Sequence, residues 1–599
     1  MKNNHLQRIE SLRTVMAEAG VDAAIIPQAD PHMSEYLASH WQFRRFLSGF
    51  TGSAGTLVVT ATEALLWTDS RYFLQAASQL EGSGIALMKD GLASTPSICG
   101  YLSAHLPEGS VVGVDGMLLS SVEFDAMAAE LADSGIRLDP GFSAAERLWE
   151  ERPALPDCKI FVHGTEYAGV SAKDKIKDIM ASARAAGADS VWISALDEIA
   201  WTLNIRSKDV AYNPVATSFL YLSEGKEGSV LFIDPAKLSA ETTAYLAGEG
   251  VKTMGYGDAM SFLSGLGEDA RVLIEPSHTA AAVRSLLGRR AVLAAKSPAA
   301  MAKACKNETQ IEGVRRAMAR DGVAMVKSLM EIERRMASGE KTTEMDVARI
   351  LLENRQKGEL FFDESFGTIA GYGPHGAIVH YEADEASNSE LKPEGLLLID
   401  SGAQYLDGTT DITRTICLGT PTAQEKSDFT LVMKGHIALA RMVFPDDTRG
   451  AQLDAVARQF LWKHGLSYLH GTGHGVGHFL NVHEGPQSIR LNYVNTPLAP
   501  GMITSNEPGV YREGVHGIRC ENLVLCRHAM TTEFGTFLKF ETLTMCPFDL
   551  NLFDTDMMTA EETDWVNEYH ANVRKTLSPL LSDTERRWLD SKTKRLEKK

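Results

Sequence analysis

Asp400 closes the apolar run Leu397-Leu398-Ile399, and Asp411 interrupts the β-branched run at 410–416. Aspartate is depleted in strands, and a buried carboxylate without a partner is costly. Two such acids in neighbouring strands call for a cation; a hairpin with two solvated acids is the plain alternative. The pattern recurs downstream, with Glu507 in the run 503–509 and Glu521 in the run 517–522. A three-residue loop centred on Gly514 places Glu507 opposite Glu521, on one face of a hairpin. Between the two acid pairs, His470-Gly471-Thr472-Gly473-His474-Gly475-Val476-Gly477-His478 surrounds its histidines with glycine, so that imidazole and backbone can approach a ligand closely. No P-loop lysine or ribose-binding acid follows, which argues against a phosphate cradle. Four carboxylates with one or two imidazoles make an oxygen-rich set with a borderline nitrogen donor. That chemistry suits Mn²⁺, Co²⁺ or Zn²⁺ in a two-metal cluster better than a thiolate zinc or an all-oxygen calcium site. Two metals can share a bridging water, lower its pKa and clamp a developing oxyanion, which is hydrolysis.

The first hairpin imposes a condition. If Asp407-Gly408 formed a two-residue turn, Asp411 would oppose Gln404, and the two acids would lie roughly 13 Å apart at about 3.3 Å per residue. A shared site therefore requires a wider loop centred near Tyr405-Leu406, or a bulge, with Asp407-Gly408 on the returning side.

The supporting elements read as α/β. A helix over 6–19, with Ile9, Leu12, Val15 and Met16 on one face, stops at Gly20 and feeds a strand over 21–26. The same design returns as a helix over 176–186, Gly187, and a strand over 189–193. The echo of Ala19-Gly20-Val21-Asp22 in Ala186-Gly187-Ala188-Asp189 points to a duplication. The proline-bearing stretch at 151–157 reads as a linker, and a second boundary falls near Lys296-Ser297-Pro298. Beyond it Asn307 caps a long helix to about Arg335, Thr343 caps another, and Thr559-Ala560-Glu561-Glu562 is a capping box opening a helix lined by Trp565, Val566, Tyr569 and Val573. The expected domains are 1–155, 156–300, 301–546 and 547–599.

At 599 residues the chain exceeds one core. A formal charge of −19 argues against a nucleic-acid partner. Seven scattered cysteines without a CxxC pair form neither a disulfide framework nor a thiolate zinc site and suit a reducing compartment. No signal peptide and no membrane span is apparent, so a cytoplasmic protein is expected.

The order Asp400, Asp411, His474, Glu507, Glu521, with its local sequence, resembles the dinuclear pita-bread peptidases: methionine aminopeptidase, prolidase and aminopeptidase P. The segments 48–55, 67–75, 399–405, 471–484 and 569–581 are most similar to the long, three-domain Xaa-Pro aminopeptidases. The resemblance implies two related creatinase-like N-terminal α/β domains, then a pita-bread catalytic domain of mixed α/β and α+β character with a C-terminal extension. It implies two divalent ions, Mn²⁺ foremost with Co²⁺ or Zn²⁺ as alternatives. Asp411 and Asp400 would hold one, His474 and Glu507 the other, and Glu521 would bridge. Glu507 would also orient or deprotonate the attacking water. His380 and His483 would contact the peptide or stabilise the tetrahedral intermediate, and His470 would support the site. Arg519 and Tyr511 match residues beside the substrate, and Arg71 one at the peptide entrance, the alternative for Arg71 being an ordinary ion pair. The partners implied are peptides beginning Xaa-Pro and a second copy of the chain. The lack of an N–H in an Xaa-Pro bond rewards a pocket that needs no such donor. Proline preference itself comes from the resemblance. An Xaa-Pro dipeptidase and a catalytically inactive pita-bread binding protein are the other readings. His375 and His516 belong to no motif and read as surface or loop residues. His478 stands where the family has a small residue and is assigned no role.

Overall fold

The computed structural model describes residues 2–598. It divides into two compact units, one running up to Thr165 together with Val170–Ala300, the other comprising Glu166–Gly169 and the chain from Met301 onward.

The first unit contains two six-stranded sheets of the same topology. In one, strand Ala23–Pro27 lies between an antiparallel neighbour, Thr56–Thr60, and a parallel one, Val111–Val114. In the other, Ser190–Ile193 lies between antiparallel Ser218–Ser223 and parallel Val272–Ile274. Both sheets continue outward through one more antiparallel and then parallel pair on one side, and a parallel pair on the other. The echo in sequence has a physical cause. Gly20 (φ 67°) and Gly187 (φ 80°) end the preceding helices in the left-handed region, which glycine enters without a Cβ clash. Asp22 and Asp189 then clasp the parallel neighbour in the same way: each backbone N–H donates to the carbonyl of Val111 or Arg271, and each carboxylate accepts from that residue's N–H. The first helix, Lys2–Ala19, buries Ile9, Leu12, Val15 and Met16.

The second unit is built on the helix Glu308–Ser338. Asn307 caps it with a reciprocal Gln310 contact, and Gly339 ends it at φ 69°. Helix Glu344–Arg355 is capped by Thr343, and helix Ala560–Leu577 by the Thr559/Glu562 box. The latter buries Val566, Tyr569 and Val573, with Trp565 half-buried beside them. Two hairpins position the acids. In the first, Leu396–Ser401 pairs with Ile412–Cys417, and Ala403–Tyr405 with Gly408–Thr409. In the second, Ile503–Asn506 pairs with Asn522–Thr532, and Gly509–Arg512 with His516–Arg519.

Deep in this unit two buried histidines lie in the field of the Arg414 charge. His436 donates through Nδ1 to the Asn506 carbonyl (3.1 Å) and accepts at Nε2 from the Asn522 amide (3.2 Å). His570 accepts at Nε2 from the Phe548 N–H (3.1 Å). Burial first, and then the Arg414 charge, press both imidazoles down to about 3. In the unfolded chain each binds a proton near pH 6.5; in the fold neither does until about 3. Stability is therefore lost as pH falls below about 6.5, by about 1.4 kcal/mol per pH unit for each histidine, and the loss levels off near 3. Chemical denaturation of wild type and His570→Gln at pH 7 and pH 5 checks this. The wild type is expected to lose about 2 kcal/mol more than the variant over that interval, and parallel losses would refute the neutral buried imidazole.

Candidate metal centre

The turn of the first hairpin departs from expectation. Tyr405 pairs with Gly408, so the loop is the tight two-residue turn Leu406-Asp407, not a wide one, and Gly408 alone lies on the returning strand. The register that follows sets Asp400 opposite Thr413, and Asp411 across from Gly402, two steps along. The two acids therefore share a face as a diagonal pair, within reach of a common ligand. Gly402 and Thr410-Asp411 stand outside the strands, at the joint where the hairpin passes from one three-stranded sheet to the other. Gly402 permits that joint, since a Cβ there would fall 2.0 Å from the Thr410 carbonyl oxygen. Asp407 is buried in the second position of the turn and paired with Arg320 of the long helix, not on the returning side where it was expected.

The second hairpin follows its expected course. Arg512 pairs with His516 around a three-residue loop with Gly514 at φ 71°, and the register running on to Asn506–Asn522 sets Glu507 across from Glu521. Here too the acids occupy a joint between two ladders: the Glu507 N–H donates to the Thr472 carbonyl (2.8 Å) and the Glu521 N–H to the Thr413 carbonyl (3.1 Å).

The donor atoms converge. One atom each of Asp411, His474 and Glu521 lie within 4.8 Å of one another. His474 Nε2 is 3.3 Å from Asp411 Oδ2 and 3.5 Å from Glu507 Oε1. His474 Nδ1 donates to the Gly475 carbonyl (2.8 Å), which leaves Nε2 facing the carboxylates, where it carries a proton in the empty pocket and would offer a lone pair to a metal. Asp400 Oδ2 accepts from Arg519 Nη2 (2.6 Å), and Glu521 Oε2 accepts from the Thr413 hydroxyl (2.7 Å). Their other oxygens, Asp400 Oδ1 and Glu521 Oε1, are buried without a hydrogen-bond partner among the described residues. Buried polar atoms are otherwise nearly always paired. An orphaned oxygen on each of two buried acids, beside the convergent donors of Asp411 and His474, fits a cation.

The electrostatics agree. Burial, reinforced by the neighbouring acids, holds the Glu521 carboxyl well above its usual range; burial also raises Asp400, against the opposing charge of Arg519. Burial lifts Glu507 to about 7. For His474, burial lowers the imidazole, but Asp411 and Glu507 outweigh it and hold it near 9. The four acids crowd more negative charge than the pocket alone can stabilise.

The remaining candidates divide by location. The His483 ring stands edge-on to His474, centroids 4.4 Å apart. His470 donates through Nδ1 to the Gly471 carbonyl (2.7 Å), leaving Nε2 to accept from the Tyr511 hydroxyl (2.8 Å), whose oxygen accepts from Arg519 Nη1 (2.7 Å). A chain of hydrogen bonds thus runs from Asp400 through Arg519 and Tyr511 to His470. The residue before His380 joins it, the Val379 carbonyl accepting from Arg519 Nη2 (3.3 Å). Arg71 lies in the first unit, its guanidinium on both oxygens of Asp69 (2.9 and 2.7 Å). The histidines outside the ligand set divide. His516 departs from expectation as a buried strand residue bonded to Asp428 (3.0 Å), whereas His375 lies in a loop as expected, half-buried on Glu344 (2.9 Å). His478 is buried against the long helix at Gly313. Thr413 and Ser505 were missed. Ser505 donates to Glu507 Oε1 (3.0 Å) and accepts from the His474 N–H (2.9 Å). Each stands two residues from an acid, and period-two alternation along a strand was the signal for both.

Comparison with known proteins covers the whole chain. The profile of metallopeptidase family M24 matches residues 312–528, and that of the C-terminal region of peptidase M24 matches 536–596. Two creatinase/prolidase N-terminal domain profiles match 8–144 and 151–310. Aminopeptidase P2 of Arabidopsis thaliana is 40% identical over 632 residues, spanning 99% of this chain and 89% of that protein. A probable Xaa-Pro aminopeptidase P of Laccaria bicolor is 41% identical over 604 residues, spanning 98% and 93%. Among solved structures, the X-prolyl aminopeptidase of Caenorhabditis elegans, a cytosolic enzyme with a di-nuclear active site, superposes with a TM-score of 0.95 at 34% identity, covering 99% of this chain and all of that one.

Proposed function

Because the chain belongs to metallopeptidase family M24, we propose that it is an Xaa-Pro aminopeptidase, a metal-dependent hydrolase that removes an N-terminal residue preceding proline. The observation that carries this reading is the end-to-end similarity to aminopeptidases P, in a chain whose five metal-ligand candidates meet in one pocket. Similarity over the full length favours the aminopeptidase over the dipeptidase reading, and the complete donor set speaks against an inactive binding protein. Asp400, Asp411, His474, Glu507 and Glu521 would hold two divalent ions, with Mn²⁺ preferred and Co²⁺ or Zn²⁺ as alternatives. Bound there, the ions supply a water of lowered pKa and positive charge for the scissile carbonyl oxygen.

The protein's own groups do the rest. Glu507 accepts the proton of the attacking water. His380 and His483 hold the substrate carbonyl and the negative charge that develops on it. His470 is fixed by Tyr511, and Tyr511 and Asp400 are fixed by Arg519, so the substrate side of the pocket and the acid pair share one guanidinium. No helix among the described residues is long and apolar enough to cross a membrane; with the C. elegans relative as guide, a cytosolic location is proposed, and the homodimer implied by the family resemblance is the proposed working form. Hydrolysis of Arg-Pro-Pro with Mn²⁺, beside Arg-Ala-Ala and Arg-Pro, tests the function. Release of arginine from Arg-Pro-Pro alone or in strong preference is expected. Cleavage of Arg-Pro only would mark a dipeptidase, and absence of both bound metal and turnover a binding protein.

A further inference from the structure

Between the strands Ile369–Tyr372 and Leu396–Ser401 the chain runs through 373–395 with one 3₁₀ turn, Gly373–Ala377, and no ladder with either neighbour. This segment carries His380. An irregular segment of that length keeps one shape only if its polar groups find fixed partners, and here they meet on a single carboxylate. Glu344, the first residue of helix Glu344–Arg355, is fully buried. Its Oε1 accepts from the Tyr372 N–H (2.8 Å) and from His375 Nδ1 (2.9 Å). Its Oε2 accepts from the Ser389 N–H (2.8 Å) and the Tyr381 hydroxyl (2.8 Å). The Glu344 N–H returns a bond to the Ser389 carbonyl (3.1 Å), and the Met345 N–H bonds the Asn388 side chain (3.1 Å). Both ends of the segment and its middle are thus tied to one helix start, where the helix field also favours negative charge.

The opposite side of the segment touches the metal centre. The Val379 carbonyl accepts from Arg519, and Gly376 packs backbone to backbone on Gly517, where a Cβ would come within 1.7 Å of the Gly376 oxygen. His380 therefore sits between two anchored residues, Val379 on Arg519 and Tyr381 on Glu344.

We propose that Glu344 is a positioning residue for catalysis, clamping the 373–389 segment so that His380 is held at the substrate carbonyl; this rests on the reading of His380 as a catalytic histidine. A carboxylate with charge-assisted bonds to four donors is a stiff support, and groups one step removed from a site commonly change turnover by about 10–100-fold. Glutamine at 344 keeps the volume and one acceptor oxygen but turns an amide NH₂ towards a pair of donors.

The test uses the Mn²⁺-loaded full chain. Glu344→Gln is expected to lower kcat for Arg-Pro-Pro by about 10–100-fold, with KM and bound metal unchanged and faster hydrogen exchange confined to 373–389. Tyr381→Phe, which leaves the helix start intact, lowers kcat in the same direction by less. In a His380→Ala background Glu344→Gln costs little more, because both act through one group. Three results overturn the proposal alone: additive losses in that cycle, wild-type kcat in Glu344→Gln, or wild-type kcat in Tyr381→Phe if Glu344→Gln does not fold. Wild-type kcat in His380→Ala overturns the reading of His380 itself, and the clamp's catalytic role with it.

Discussion

Asp411→Ala is expected to abolish hydrolysis of Arg-Pro-Pro, by about 10³-fold or more, and to release bound metal, while the protein stays folded. The size of the effect follows from the loss of a donor on which the other ligands converge: His474 Nε2 points at Asp411 Oδ2 from 3.3 Å, and Glu521 completes the group. Removing transition-state charge stabilisation of this kind costs at least the 10²–10³ measured for a single oxyanion donor. The sign of the stability change separates a metal ligand from a structural acid. Without metal, Asp411 adds repulsion to Asp400, Glu507 and Glu521 but also pairs with His474, so the two effects oppose and the metal-free variant should melt close to metal-free wild type. With saturating Mn²⁺ only the wild type should gain, by RT ln(1 + [L]/Kd), or about 2.7 kcal/mol at a hundredfold excess over Kd. Thermal melts with and without EDTA read both. Near-normal turnover with Mn²⁺ would sink the assignment of Asp411.

The second large effect lies beside His483. Glu484 is fully buried and accepts from two buried ammonium groups, Lys303 Nζ at 2.7 Å and Lys306 Nζ. Burial is the stronger influence on Lys306 and lowers it, against the pull of Glu484. Glu484→Ala leaves two buried cations facing each other, a change that costs about 3–5 kcal/mol when one partner of a buried pair is removed. For a unit of this size the midpoint should fall by roughly 5–8 °C. Glu484→Gln, which keeps the shape and one acceptor, should fall less. A drop within about 1 kcal/mol for Glu484→Ala would mean that the lysines bear no charge in the fold.

Much of this was legible in the residues. Helix starts were, because Asn307, Thr343 and Thr559 each cap through a local hydrogen bond that sequence spacing encodes. The duplication was too, since each clasp, at Asp22 and at Asp189, follows its helix-ending glycine by two residues. The second hairpin read correctly because Gly514 marks a loop whose length alone sets Glu507 against Glu521. The first did not. Asp407-Gly408 is a strong local turn signal, but Asp407 is held in the second turn position by Arg320, a residue of a distant helix. The joint at Gly402 is likewise a tertiary fact: it depends on the close approach of Thr410 and Ser365, and no local pattern announces it. The partners of His516 and His375 were invisible for the same reason. Asp428 and Glu344 lie on helices far away in sequence.

The joint at Gly402 and the turn at Leu406-Asp407 together make chain length part of the site. Surface turns are ordinarily where a protein gains or loses residues with least harm, and the Thr532–Gly535 turn of the long outer hairpin is of that kind, carrying no acid pair. The turn between Asp400 and Asp411 is not. Strand geometry alternates faces at every step, so one residue more or fewer there would send one of the two carboxylates to the wrong side of its sheet. Residues that touch neither metal nor peptide thus set the spacing of the ligands, and this short loop is as intolerant of insertion as a catalytic side chain is of substitution.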